Sequence, residues 1–161
     1  MNGKMHEASA AMGLTSLDAL DTIVAANRHN HALFARELAD IPGLTLARYD
    51  PADRPNYQYV VVEVDEADTG LTRDALHDVL RAENVLARRY FHPGVHRMEP
   101  YCTRFPDAGR HLPHTEALAR RVLLLPTGPG VTEEDIVRMG ALIRVAVEHA
   151  STVTARLAAR A

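Results

Sequence analysis

Tyr57-Gln58-Tyr59-Val60-Val61-Val62-Glu63-Val64 is the stretch on which the fold turns. It is β-branched and aromatic throughout, and such side chains suit a pleated, half-buried surface, so it predicts a strand. Val122-Leu123-Leu124-Leu125, stopped by Pro126, predicts a second, buried strand. Residues 44–49 and 85–89 are shorter strand candidates.

Working outward, residues 5–39 carry a helical pattern. Leu17, Leu20 and Val24, then Ile23, Asn27, Phe34 and Leu38, recur at steps of three and four. Gly13 or Asp18 divides this stretch. Asp40-Ile41-Pro42-Gly43 ends it, because Pro cannot continue the hydrogen-bond ladder and Gly permits a left-handed turn. Residues 50–55 form a loop. Thr72 precedes a helix whose apolar face is Leu76, Val79 and Leu80. Residues 90–110, with Pro93, Pro100 and Pro106, are irregular. A short helix runs from His114 or Thr115 to Arg121, and Thr127-Gly128-Pro129-Gly130 turns the chain. Thr132-Glu133-Glu134-Asp135 then caps a final helix with Ile136, Met139, Ile143 and Val147 on its apolar side. The sum is an α+β fold: a small antiparallel or mixed sheet with helices packed on one face, preceded by a long N-terminal helical segment. Residues 1–40 form that segment and residues 41–161 the α+β domain.

At 161 residues the chain is long enough for a proper core, and 47% apolar with 24% charged residues argues against disorder. A net charge of −3 and the lack of a basic stripe speak against a nucleic-acid surface. The apolar runs are far shorter than the roughly 20 residues that span a bilayer. The first residues hold a Lys and no apolar core of a signal peptide. With Cys102 alone, no internal disulfide forms, and a reducing, cytoplasmic compartment is expected. Nine histidines include the pairs His92/His96, His111/His114 and His29/His31. None is completed by Cys or an acidic residue at a metal-ligand spacing, so no metal site is expected. Nothing adjacent in sequence activates Cys102. Pro129 removes a donor from the glycine loop, which therefore is no phosphate cradle.

The chain opens Asn2-Gly3-Lys4-Met5-His6-Glu7-Ala8-Ser9-Ala10-Ala11-Met12-Gly13-Leu14, and Lys4 is its only lysine among 18 basic residues. This stretch resembles Asn-x-(Arg/Lys)-Met-(Ser/Thr)-Glu followed by Ala-Ala-(Met/Ile)-Gly-Leu in the pyridoxal-phosphate (PLP) dependent nucleotide-sugar aminotransferases of the DegT/DnrJ/StrS type. Residues 89–101, Arg-Tyr-Phe-His-Pro-Gly-Val-His-Arg-Met-Glu-Pro-Tyr, are similar to that family's loop with a His and a Pro-Tyr ending. Residues 112–129 resemble its Leu-Pro, helix, Leu-Pro sequence. His6 departs from the family's small hydroxyl residue.

The resemblance implies the C-terminal small α+β domain of a type I aminotransferase, with residues 1–40 equivalent to the end of the PLP domain and the inter-domain helix. In that family active sites form at a homodimer interface, and the motif Asn of one subunit serves the PLP phosphate of the other. Carried over, Asn2 and Lys4 are the cofactor-binding candidates. Asn2 also suits a helix cap. Tyr90, His92 and His96 are the substrate-binding candidates, since the family's loop lies over the active-site mouth. A loop packed by Pro and aromatic residues, with solvent-facing imidazoles, is the plainer reading of the same residues. The Schiff-base lysine of the family stands upstream of the motif, so no catalytic residue is expected here and the isolated chain is expected to be inactive and free of PLP. The expected partner is a PLP-domain half or an intact homologous aminotransferase. Self-association through Met5, Ala8, Met12 and Leu17 is also expected. A non-catalytic module pairing with an intact homologue is the alternative.

Overall fold

Val60–Val64 forms the central strand β2, and its alternation sorts the rest of the molecule. Val60, Val62 and Val64 are buried while Val61 and Glu63 are half-exposed. The computed structural model describes residues 3–90 and 92–159. β2 pairs with β1 (Leu44–Leu46) on one side and with β4 (Val122–Leu125) on the other, and β4 pairs with β3 (Arg88–Arg89). The order is β1-β2-β4-β3 and every pairing is antiparallel. Val60 stands opposite Leu125 and Val62 opposite Leu123, so these four side chains share the core face.

That face is covered by α2 (Leu20–Glu37), α4 (Arg73–Ala82) and α7 (Glu133–Glu148). Phe34, Leu76, Leu80, Ile136 and Ile143 are fully buried beneath them. Gly140 sets the approach of α7 to α2, because a Cβ there would lie 2.9 Å from Glu37 Cβ. The opposite face, with Val61 and Glu63, is not bare. The segment from Tyr90 through α5 (Tyr101–Arg104) to α6 (Pro113–Arg121) lies across it. Helices therefore flank both faces, against the one-sided layer that the pattern predicted. The period of a strand tells which residues alternate but not what covers the second side.

Other differences are local. β2 starts at Val60 and not at Tyr57, because Tyr57 takes a left-handed φ of 52°. Its ring packs on His31 (5.4 Å between centroids) and Tyr49 (5.1 Å) instead of joining the ladder. Only Arg88–Arg89 of the predicted 85–89 strand pairs. A short helix α3 (Glu66–Thr69) follows β2, and α8 (Ala150–Ala158) follows α7 after His149, so α7 is not the last helix.

The N-terminal stretch divides at Ala19 into α1 (Glu7–Asp18) and α2. None of the residues of α1 is buried. The cap of α1 is His6, whose Nδ1 accepts the Ala8 N–H at 3.2 Å. His6 therefore takes the capping role at α1, and Lys4 lies in the lead-in ahead of the helix. Asn2 itself lies outside the described residues.

Candidate substrate-contact groove

Between the Val61/Glu63 face and the 90–119 segment lies a groove of about 910 Å³. Its walls are largely apolar, including Val61, Val95, Phe105 and Leu118, with Tyr90 and His96 among the few polar side chains. The structure thus brings two of the three predicted contact residues to one cavity. His92 is exposed and does not line it. Its Nδ1 instead lies 3.4 Å from an Arg73 guanidinium nitrogen.

The segment over the groove is held at two places. The first is Arg73, a residue the sequence did not single out. Its side chain is 1% exposed and donates to the Val122 carbonyl (2.8 Å) and to Asp74 (2.8 Å). Asp74 also receives Arg89 of β3 at 2.8 Å. Burial works to raise the Asp74 pKa, but the charges of Arg73, Arg89 and His92 and the Arg73 hydrogen bond outweigh it and leave the carboxyl below its usual range. α4, β3, β4 and the start of the loop are joined through this network.

The second place is Glu116 on α6. Its Oε1 receives His96 Nε2 at 2.6 Å and Arg97 Nε at 2.5 Å, and Arg120 stands 3.6 Å from its other oxygen. The hydrogen bonds of Arg97 and His96 pull the Glu116 pKa down to about 2. Gly109 allows the approach: a Cβ there would lie 3.1 Å from Glu116 Oε1. His96 is thus both a wall of the groove and a strut beneath it.

Tyr90 stacks on Tyr59 with centroids 5.7 Å apart. Tyr59 offers its carbonyl to the Tyr49 hydroxyl at 2.7 Å. Burial, and then the nearby Tyr90, raise the Tyr49 pKa. Cys102 donates to Glu99 Oε1 at 3.0 Å, and that carboxylate pushes the thiol pKa up, which makes it a poor nucleophile. Among the described residues no group of three or more His, Cys, Asp or Glu stands together as a metal site would need. His29 pairs with Glu133 at 2.7 Å and His31 with the Ala47 carbonyl at 3.0 Å. The groove can bind an apolar or sugar-like body and offer it hydroxyl and imidazole contacts.

Residues 1–144 match the DegT/DnrJ/EryC1/StrS aminotransferase family. The chain belongs to that family. The dTDP-4-amino-4,6-dideoxy-D-glucose transaminase of Escherichia coli is 29% identical over 143 residues, 89% of this chain and 38% of that enzyme. The corresponding transaminase of Shigella dysenteriae is 32% identical over 127 residues, 78% of this chain and 33% of that one. The crystal structure of DesI in the presence of its TDP-sugar product superposes with a TM-score of 0.83 at 48% identity, covering 97% of this chain and 39% of DesI. The chain therefore spans well under half the length of the family members it matches. Its fold is that of the PLP-dependent sugar aminotransferases.

PLP chemistry in this family needs a lysine amine and an acidic partner for the ring nitrogen. The single lysine here, Lys4, is exposed ahead of α1 and lines none of the grooves described.

Proposed function

We propose that this chain supplies the C-terminal portion of a PLP-dependent aminotransferase acting on a keto-sugar nucleotide, in amino-sugar biosynthesis, and does not turn over alone. The observation that carries the reading is the DesI superposition at 48% identity over 97% of this chain, together with a single lysine, Lys4, that does not line the large groove. In the assembled enzyme Asn2 and Lys4 serve the cofactor phosphate. The Asn2 amide donates a hydrogen bond and Lys4 adds positive charge. Tyr90 and His96, at the groove, contact the sugar nucleotide, and His92, on the same loop, is the third contact. PLP, when bound, supplies the electron sink. This chain's side chains bind and orient.

The partner is a PLP-domain half or an intact homologous aminotransferase, and the setting is the cytoplasm. Among the described residues no helix is long and apolar enough to cross a membrane. α1 favours a partner, because Met12, Leu14 and Leu17 are each more than 60% exposed, and apolar surface of this kind marks an interaction site. Co-expression with the PLP-binding portion of a relative tests the assignment. The complex retains PLP, and Asn2→Ala lowers retention, since a hydrogen bond to a charged acceptor contributes about 1.5–3 kcal/mol. Equal retention by the two removes Asn2 from the phosphate site.

A further inference from the structure

His96 and Glu116 form a pair that is almost closed to solvent, their side chains 10% and 14% exposed, with Nε2 2.6 Å from Oε1. Glu116 lines a cleft of about 420 Å³ together with Arg97 and Arg120, and it does not line the large groove. His96 lines both. Its Nε2 therefore points to the cleft side. The other ring nitrogen, Nδ1, lies across the ring from that bond, and among the described residues it has no hydrogen-bond partner.

Which nitrogen carries the proton follows from the partner. With its pKa pulled down to about 2, Glu116 is ionised at neutral pH and can only accept. Nε2 must then donate, and the neutral imidazole keeps its lone pair on Nδ1. Arg97 and Arg120 share the same carboxylate, and Glu63, which also lines the groove, is paired with Arg121 at 3.2 Å. In a free imidazole the proton exchanges between the two nitrogens. A carboxylate behind the ring fixes both the tautomer and the orientation, and leaves the opposite nitrogen to meet a ligand.

We propose that Glu116 is a positioning residue: it holds the His96 proton on Nε2, so that Nδ1 meets a bound ligand as a hydrogen-bond acceptor and selects a hydroxyl there over a carbonyl or ether oxygen. The tautomer stands on the geometry of the pair. That the hydroxyl belongs to a sugar rests on the sugar-nucleotide reading above.

Nitrogen-15 spectra of the histidine rings in the purified chain, at about pH 8 where an ordinary imidazole is neutral, test the positioning role. In the parent, His96 shows Nε2 as a protonated nitrogen and Nδ1 as a bare one. Glu116→Leu lets the proton exchange, and both resonances move toward intermediate positions. Glu116→Gln keeps an acceptor oxygen and stays closer to the parent. Arg97→Met removes the other arm of the clasp without touching the His96 bond, and it keeps the parent pattern. Loosening of the loop alone would shift the Leu and Met variants alike. An averaged pattern in the parent, or a Glu116→Leu pattern equal to the parent's, overturns the positioning role.

Methyl glucoside and 2-methoxytetrahydropyran, the same ring stripped of its hydroxyl-bearing groups, are then titrated into the same samples. The glucoside moves Nδ1 and the ether does not. His96→Gln keeps a donor for Glu116 but loses the groove-facing nitrogen, and it weakens glucoside binding about three- to tenfold, as for one neutral hydrogen bond. No response to the glucoside, equal responses to the two probes, or unchanged binding in His96→Gln overturns the hydroxyl contact and the placing of a sugar at His96. The tautomer is read without any ligand, so its failure is distinct from a failure of the sugar reading.

Discussion

His96 Nε2 and Arg97 Nε, neighbours in sequence, converge on the same oxygen of Glu116, at 2.6 and 2.5 Å. One carboxylate on α6 therefore fixes the turn at Val95–Arg97 and with it one wall of the large groove. Because the Glu116 pKa falls from 4.5 to about 2 on folding, its contribution is complete above the ordinary carboxylate range. It is lost as pH drops from about 4.5 through about 2. Glu116→Gln removes this pH dependence. Amide exchange measured at pH 7 and pH 3 detects it: in the parent, residues 94–112 stay protected at pH 7 and loosen toward pH 3. In the variant they exchange fast at both, while β2 and β4 remain protected. Equal protection of 94–112 in parent and variant contradicts the clasp.

Arg73 is the other anchor. Arg73→Met keeps the aliphatic stem but strips the Val122 carbonyl and Asp74 of their donor. Leaving a buried acceptor unsatisfied costs about 1–3 kcal/mol. Thermal unfolding should fall by several degrees, at about 2–4 °C per kcal/mol for a domain of this size. Arg73→Lys recovers only part, since one ammonium cannot span three partners. A melting temperature unchanged in Arg73→Met would show that the network is idle.

His6 caps α1 through an unprotonated Nδ1. His6→Ala should cost about 1 kcal/mol, felt locally as fraying of α1, and His6→Ser should restore the cap. Amide exchange at Ala8 and Ser9 reads this directly. Equal exchange in all three proteins means that the cap contributes nothing.

The uncovered side of α1 should drive association. Met12→Ser with Leu17→Ser lowers the mass measured by light scattering at a fixed concentration, because each of those side chains is more than 60% exposed and carries apolar area in search of cover. A parent that is already monomeric, with protected α1 amides, speaks for a helix that is stable without a partner.

Much of this architecture was legible in the sequence because local patterns agree with global packing. Val122–Leu125 is a strand with the predicted bounds, since four consecutive apolar residues before a Pro have one good use in a sheet buried on both faces. Thr132 caps α7 in a full capping box with Asp135. The family was legible from the order of its motifs. The anchors were not. Arg73 and Glu116 are ordinary helix residues in sequence, and the partners that make them anchors, Val122 for Arg73 and His96 and Arg97 for Glu116, stand 49, 20 and 19 residues away. Tyr57 reads as a strand residue because its aromatic side chain favours one. The local propensity yields to the ring cluster with His31 and Tyr49.

The central claim is that this chain completes a sugar aminotransferase it cannot replace, and a chimera tests it. The 39% of DesI that superposes on this chain is exchanged for it, and amino transfer on the DesI TDP-sugar is followed beside this chain alone, both with PLP and an amino donor. The account predicts turnover by the chimera and none by the isolated chain. A folded, PLP-loaded chimera without turnover, or turnover by the isolated chain, would contradict it.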